Sequence, residues 1–148
     1  MTPENFIKAT YNAALAVQSK YKVNALAAIA QSAQETGWGG TVVGNMYFGI
    51  KAGNSWTGKK QLLWTHEYIN GVYTKVQAWF RAYDSAAESF EDWAKLISGN
   101  ARYSDALDYA DNPEQFITEI AKAGYATDPN YAKSIIAIIG TIKKKLKK

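Results

Sequence analysis

The run Asn24-Ala-Leu-Ala-Ala-Ile-Ala-Gln-Ser-Ala-Gln-Glu35-Thr-Gly37 decides the fold. Asn24 carries a side-chain acceptor of the kind that caps a helix N-terminus, and Gly37 suits the left-handed residue at which helices stop. Alanines stand between them at 25, 27, 28, 30 and 33. Small side chains let neighbours approach closely, so the run predicts a central helix over 25–36. Its last turn holds Glu35, where the helix macrodipole is negative and Lys or Arg is the usual choice.

Downstream the pattern changes. Eight of the 11 glycines fall at 37, 39, 40, 44, 49, 53, 58 and 71, which argues for turns and short strands. Leu62–Ile69 and Val72–Phe80 flank Asn70-Gly71, a hairpin signal of the type I′ kind. With a two-residue turn, Ile69 pairs with Val72, Glu67 with Thr74 and Thr65 with Val76. One face then carries Leu63, Thr65, Glu67, Ile69, Val72, Thr74, Val76, Ala78 and Phe80. Glu67 is the only charge on it. A buried carboxylate needs a partner, for which Arg81 is the candidate, or a cleft in which to do chemistry.

Upstream, Thr2 and Pro3 open a helix bearing Phe6, Ile7, Ala14 and Val17 at helical spacing. After the hairpin, Ser85-Ala-Ala-Glu88 reads as a capping box before Phe90, Trp93, Leu96 and Ile97. Tyr103–Ala110 is a short helix candidate. Asn112-Pro113 opens another helix that stops at Gly124, and Asp128-Pro129 opens the last, with Tyr131, Ile135, Ile138, Ile139, Ile142 and Leu146. The expectation is one domain over 1–148 of the α+β class, mostly α, with a β-hairpin lobe at about 40–83 inserted after the second helix.

Composition narrows the chemistry. The 148 residues contain no cysteine, which excludes a disulfide framework, thiolate metal sites and a Cys nucleophile. Net charge is +4, but five of the 17 basic residues are Lys143, Lys144, Lys145, Lys147 and Lys148, leaving 12 basic against 13 acidic groups in 1–142. Basicity is thus a property of the tail 143–148, and no nucleic-acid groove follows from it. The tail reads either as a solvated helix end or as an attraction to anionic cell-wall polymers. No secretory leader is read at Met1-Thr2-Pro3-Glu4 and no apolar run approaches the ~20 residues of a membrane span. His66, the single histidine, is expected on the hairpin surface. No phosphate-binding glycine loop occurs, and neither metal nor cofactor is expected.

Two carboxylates, one at a helix end and one on an adjoining β-lobe, form the pattern of glycoside hydrolysis. The helix end disfavours an ionised Glu35, and Trp38 three residues on is expected to desolvate it. Both raise its pKa toward what a general acid requires.

The run Ala30-Gln31-Ser32-Ala33-Gln34-Glu35-Thr36-Gly37-Trp38-Gly39 resembles the catalytic helix end of glycoside hydrolase family 73. Asn45-Met46-Tyr47-Phe48-Gly49-Ile50-Lys51 resembles the N-x-x-F-G-I-K block of that family. Glu67-Tyr68, Phe80-Arg81-Ala82-Tyr83 and Ala123-Gly124-Tyr125-Ala126-Thr127-Asp128-Pro129-Asn130-Tyr131 are similar to its later blocks, in order, so that about residues 4–140 are covered. The resemblance implies a lysozyme-like helical architecture and cleavage of the β-1,4 bond after N-acetylglucosamine in peptidoglycan glycan strands, at the bacterial cell wall. It makes Glu35 the acid, Glu67 the β-lobe carboxylate and Tyr125 a cleft tyrosine supporting the reacting sugar. Gln31, Trp38, Asn45, Tyr47, Phe48 and Trp56 are expected to bind substrate, and a monomer is expected. Met46 departs from the family, many members of which have a second Asn there. Two courses stay open: Glu67 activates water across ~6.5–9.5 Å, or the sugar's own acetamido group attacks and Glu67 positions. A lytic transglycosylase and a non-catalytic cell-wall binding module are the rival readings.

Overall fold

The computed structural model describes residues 1–147, so Lys148, the end of the basic tail, lies outside the described residues. Helix α1 (Pro3–Tyr21) opens at Thr2, whose hydroxyl accepts from the Asn5 N–H at 3.1 Å. Helix α2 (Ala25–Thr36) has the expected bounds. The Asn24 side chain accepts from the Ala27 N–H at 2.9 Å, and Gly37 closes the helix at φ 57°. Nine residues of α2 are buried, Ala25, Ala27, Ala28, Ile29, Ala30, Gln31, Ser32, Ala33 and Thr36, and it packs against α1, α4 (Pro113–Lys122) and α5 (Tyr131–Leu146). The alanines do what the sequence implies: they let three helices close around this one. Phe6, Ile29, Phe90, Trp93, Phe116, Ile135, Ile139 and Ile142 fill the spaces between. Burying each such side chain contributes about 1.5–3 kcal/mol.

Three helix ends differ from expectation. At α3 (Ala86–Ser98) the Ser85 hydroxyl accepts from the Glu88 N–H at 3.2 Å, but the Glu88 carboxylate accepts from Asp84, one residue before the cap, at 2.6 Å. The short helix after it is a 3-10 helix over Ala101–Tyr109, started when Asn100 accepts from the Arg102 N–H. Helix α5 begins at Tyr131, not at Pro129. The Asp128 carboxylate accepts from the Asn130 N–H at 2.9 Å, which turns the loop instead of opening the helix, and the Asn130 side chain makes no capping hydrogen bond to α5.

Strands β1 (Lys60–Ile69) and β2 (Val72–Arg81) form one antiparallel hairpin with the expected register, Ile69 on Val72, Glu67 on Thr74 and Thr65 on Val76. Asn70 and Gly71 sit at φ 53° and 80°, both positive, as a type I′ turn requires. Each strand runs slightly further than the apolar pattern, to Lys60 and Arg81. Inward positions from Gln61 to Glu67 and from Thr74 to Phe80 are at least half covered, while Leu62, Trp64, His66, Tyr68, Tyr73 and Trp79 stand in solvent. His66 stacks on Tyr73 on that outer face, as a surface residue. The molecule is thus mostly helical with a two-stranded lobe, the α+β arrangement expected. No helix among the described residues is long and apolar enough to cross a membrane.

The hairpin is held by a loop and by one ion pair. The segment 44–59 runs alongside it, with Ala52 donating to the Trp79 carbonyl, Arg81 to that of Ile50 and Ala82 to that of Lys59, each at 2.9 Å. Arg81 then reaches Asp92 on α3 at 3.0 Å, with both side chains largely covered, and the Tyr83 hydroxyl donates to the same carboxylate at 2.6 Å. Arg81 is therefore committed to Asp92 and not to Glu67, which removes one of the two alternatives the sequence leaves for Glu67. Removing one partner of a covered pair strands the other without compensation. Asp92→Ala should lower the free energy of unfolding by about 3 kcal/mol, read as a shifted urea midpoint. An unchanged midpoint would show that the loop alone holds the lobe.

Candidate active site

Glu35 lies one turn beyond Gln31 on α2, at the point where the helix stops. Its carboxyl borders two cavities. One, about 340 Å³, is walled by Gln31, Gln34, Phe48, Ile50, Trp93, Leu96, Tyr125 and Tyr131. The other, about 510 Å³, lies under the hairpin and is walled by Met46, Lys51, Leu63, Thr65, Glu67 and Phe80. Gly49 and Glu35 line both, so Glu35 stands at the divide between a helical chamber and a hairpin groove.

Gly49 makes the close approach possible. It adopts φ 60°, which other residues adopt only under strain, and a Cβ there would overlap the Glu35 carboxyl, 3.1 Å from its Cδ. Glu35 has no hydrogen bond or ion pair among the described residues. It is open to solvent on one side and pressed by protein on the other. That partial desolvation raises its pKa above the ordinary glutamate range. The direction matches the sequence expectation, but the agent differs. Trp38, at φ 56°, turns toward α1 and packs edge-on against Phe6 at 5.9 Å, and it lines neither cavity. The loop at Phe48-Gly49-Ile50 does the desolvating.

Tyr125 reaches the helical chamber from the loop after α4. Burial pushes its hydroxyl up to about 12, Trp93 opposes this, and the nearby Glu35 adds to it. Its ring leans on Tyr131 at 5.7 Å and on Tyr103 at 6.1 Å. Burial likewise raises Tyr131, so both phenols stay protonated donors at any working pH. Arg102 sets the loop: its guanidinium donates to the Ala123 carbonyl at 2.6 and 3.0 Å and to that of Gly124 at 3.1 Å. Glu67 projects from β1 into the hairpin groove and forms an ion pair with Lys51, with both ends substantially exposed. Met46 lines that groove, in place of a polar residue.

Of the residues expected to bind substrate, Gln31 and Phe48 line the helical chamber with Glu35. The structure does not bring Asn45, Tyr47, Trp56 or Trp38 there. Asn45 donates to the Tyr83 carbonyl at 3.0 Å and pins the loop. Tyr47 is buried between Phe6 and Phe90 as part of the core. Trp56 lies beyond the hairpin, under the Arg81 guanidinium at 4.4 Å and against Tyr83. Sequence reasoning missed Gly49, Lys51, Trp93 and Tyr131. Trp93 reads as one more apolar position of α3, and nothing local distinguishes it. Gly49, Lys51 and Tyr131 fall inside the quoted blocks, which was the available signal.

A carboxyl whose pKa is raised by partial desolvation, lining the same groove as a second carboxylate between a helical body and a β-lobe, is an arrangement that glycoside hydrolysis can use. The chain belongs to the glucosaminidase family: the family model described as mannosyl-glycoprotein endo-beta-N-acetylglucosaminidase matches residues 11–144. It is similar to the peptidoglycan hydrolase FlgJ of Pseudomonas aeruginosa, 39% identical over 142 residues, covering 91% of this chain and 36% of that protein. The FlgJ of Vibrio cholerae is 46% identical over 116 residues, 74% of this chain and 35% of its own length. The chain therefore spans about a third of the length of these relatives. A C-terminally truncated glycoside hydrolase domain of Salmonella typhimurium FlgJ superposes with a TM-score of 0.84 at 34% identity, covering 97% of this chain and 99% of that one.

The raised pKa of Glu35 links its proton to stability. Between the ordinary glutamate range and the folded-state value, the folded chain holds a proton that the unfolded chain has released. The stability this lends is full below the ordinary range and is lost as pH rises through the folded pKa. Glu35→Gln cannot lose it. Calorimetric melting temperatures of the variant and the unsubstituted chain should therefore agree most closely near about pH 4 and diverge in the variant's favour toward neutrality. Divergence in the opposite sense would mean that the site stabilises the ionised form.

Proposed function

We propose that this chain hydrolyses peptidoglycan at the bacterial cell wall, cutting the β-1,4 bond after N-acetylglucosamine within the glycan strand as an endo-beta-N-acetylglucosaminidase. The observation that carries it is Glu35, unpaired, desolvated and placed where the two cavities meet. A glycan lying through both cavities presents its scissile oxygen at that divide. Glu35 donates its proton to this oxygen as the bond to C1 breaks. Glu67, across the hairpin groove, supplies the second carboxylate, on the side where water adds to C1. Tyr125, protonated at working pH, donates to the reacting sugar. The names of the FlgJ relatives support the polymer, and the family supports the bond. The chain is read as one catalytic domain acting as a monomer.

Glu35→Gln should reduce release of soluble fragments from purified peptidoglycan by about 10²–10⁴-fold with the fold intact, the usual loss for a missing general acid. Glu67→Gln should lose less, and azide should restore part of its rate if the carboxylate serves the water. Reducing N-acetylglucosamine ends in the mass spectrum of the products are expected. 1,6-Anhydro ends would replace this reading with that of a lytic transglycosylase, and an unsubstituted chain that binds walls without clearing them would replace it with that of a binding module.

The basic run 143–148 adds association with anionic wall polymers, though less than its charge suggests. Lys143 to Lys147 sit at the end of α5. Lys143 pairs with Glu114 at 2.9 Å and Lys145 with Glu4 at 2.6 Å. Deleting 143–148 should weaken sedimentation with cell walls chiefly at low salt, because exposed charges are screened beyond about 8 Å at physiological ionic strength. Turnover of a small neutral glycan should stay the same. Wall binding unchanged at low salt would leave the lysines as a solvated helix end.

A further inference from the structure

The hairpin ends in a run without charge, Tyr68-Ile-Asn-Gly-Val-Tyr-Thr74. Residues 68–73 are all exposed, and Ile69 and Val72, which pair across the strands, are 46% and 63% open to water. Among the described residues the tie to the body nearest the tip is the ion pair of Lys51 with Glu67, and the rungs beyond it make no hydrogen bond to the helices. The turn itself needs only Asn70 and Gly71. Threonine also forms strands and keeps a hydroxyl for water, so strand formation does not call for two aliphatic side chains here. Contiguous exposed apolar side chains rimmed by polar ones mark a contact surface.

The outer face behind the tip is basic. Lys60, His66 and Lys75 stand on it and no Asp or Glu does, because Glu67 projects from the opposite face. The aromatic rings of that face are not bare. The Lys75 ammonium lies over Trp64 at 5.0 Å, that of Lys60 over Trp79 at 4.9 Å, and His66 is stacked on Tyr73 at 4.7 Å. A glycan stacks on ring faces, and each of these three rings already has one face taken. A glycan also gains little from two aliphatic side chains at a tip. An anionic lipid bilayer uses every one of these features. Aliphatic groups enter the acyl boundary, Trp and Tyr settle at headgroup level, and Lys meets the anionic headgroups.

We propose that the hairpin tip is a docking element for an anionic lipid surface. Ile69 and Val72 enter the interfacial zone, Tyr68 and Tyr73 lie at headgroup level, and Lys75, with Lys60 further back, meets the lipid phosphates. The groove that holds Glu35 and Glu67 opens on the other face of the hairpin and stays free while the tip is docked. This goes beyond the glycan-cleaving reading and does not depend on it.

The chain lacks cysteine, so Val72→Cys gives a single site for an environment-sensitive dye, and Ser19→Cys, exposed on α1, serves as the reference. Each whole chain is mixed with vesicles of equal parts phosphatidylcholine and phosphatidylglycerol, and with vesicles of phosphatidylcholine alone. With the anionic vesicles the dye at 72 should shift to the blue and the dye at 19 should not. Flotation gives the affinities. Ile69→Ser combined with Val72→Ser leaves every charge in place and should weaken binding to the anionic vesicles at least about 10-fold. Lys75→Ser should weaken the same binding about 5-fold. The basic run 143–148 also attracts anionic lipid, but it accounts neither for a loss on uncharged substitution at the tip nor for a dye shift at 72. Where the doubly substituted tip melts early, the dye at 72 decides. An unsubstituted chain that floats with neither vesicle would overturn the proposal, as would a dye at 72 that stays in water while the chain floats. A tip variant that floats undiminished but sediments less with lipid-free peptidoglycan would overturn it in favour of a glycan contact.

Discussion

The contact between the Glu35 carboxyl and the backbone of Gly49 is the constraint on which the rest of the site depends. A carboxyl with no cation beside it takes its proton affinity from how much water is removed, and here a glycine Cα removes it. That requires the loop to be held against the helix end. It is held through a series of attachments: Asn45 to the Tyr83 carbonyl, Arg81 N–H to the Ile50 carbonyl, and Arg81 to Asp92 on α3. The position of the acid is thus set from α3, through the hairpin base, as much as from its own helix. Gly37 contributes from the other side by stopping α2 one residue after Thr36, so that nothing helical covers Glu35.

The opposite wall follows the same logic with different parts. Helix α4 ends at Lys122, and the chain must turn at once to bring Tyr125 back over the chamber. Gly124, at φ 87°, makes the turn, and the Arg102 guanidinium fills the place a Cβ would take while satisfying the carbonyls left open at the helix end. The 3-10 helix that carries Arg102 is consequently part of the site's scaffold, although none of its side chains lines the chamber. Tyr103 from the same segment backs Tyr125.

Much of this was legible in the sequence because local rules governed it. Caps at Thr2, Asn24 and Ser85, the stop at Gly37 and the Asn70-Gly71 turn each depend on a few adjacent residues, and each formed. The hairpin register followed from the turn alone, which placed Glu67 on the inward face. Where the reading failed, a distant competitor decided. Arg81 stands one strand away from Glu67 as one possible partner, but Asp92, already bonded by the Tyr83 hydroxyl, offers it a more covered one. Trp38 was assigned to Glu35 by a three-residue spacing, but a left-handed backbone at that residue sent its ring to Phe6. Asp128 looked like a helix cap and made a loop turn. Tyr47 and Trp56 are aromatic in a chain that is 14% aromatic, and only packing shows that one belongs to the core and the other stacks under Arg81 beside Tyr83.

The distribution of unmet polar groups separates the site from the scaffold more sharply than shape does. Elsewhere seven acids, Glu4, Glu67, Asp84, Glu91, Asp92, Glu114 and Glu119, each form an ion pair with a Lys or Arg, and Asp105, Asp108 and Asp111 stand exposed to water. Around the chamber the pattern reverses. Glu35 has no cation, the Gln31 carbonyl oxygen is buried without a partner among the described residues, and burial pushes both Tyr125 and Tyr131 up. A chain stabilised only for folding would have satisfied or removed these groups, since each lowers the stability of the empty protein. The same groups explain why the loops around Glu35 are tied so thoroughly to α3, to the hairpin and to Arg102. Unpaired polar groups keep their direction only when the backbone that carries them is fixed by bonds made elsewhere.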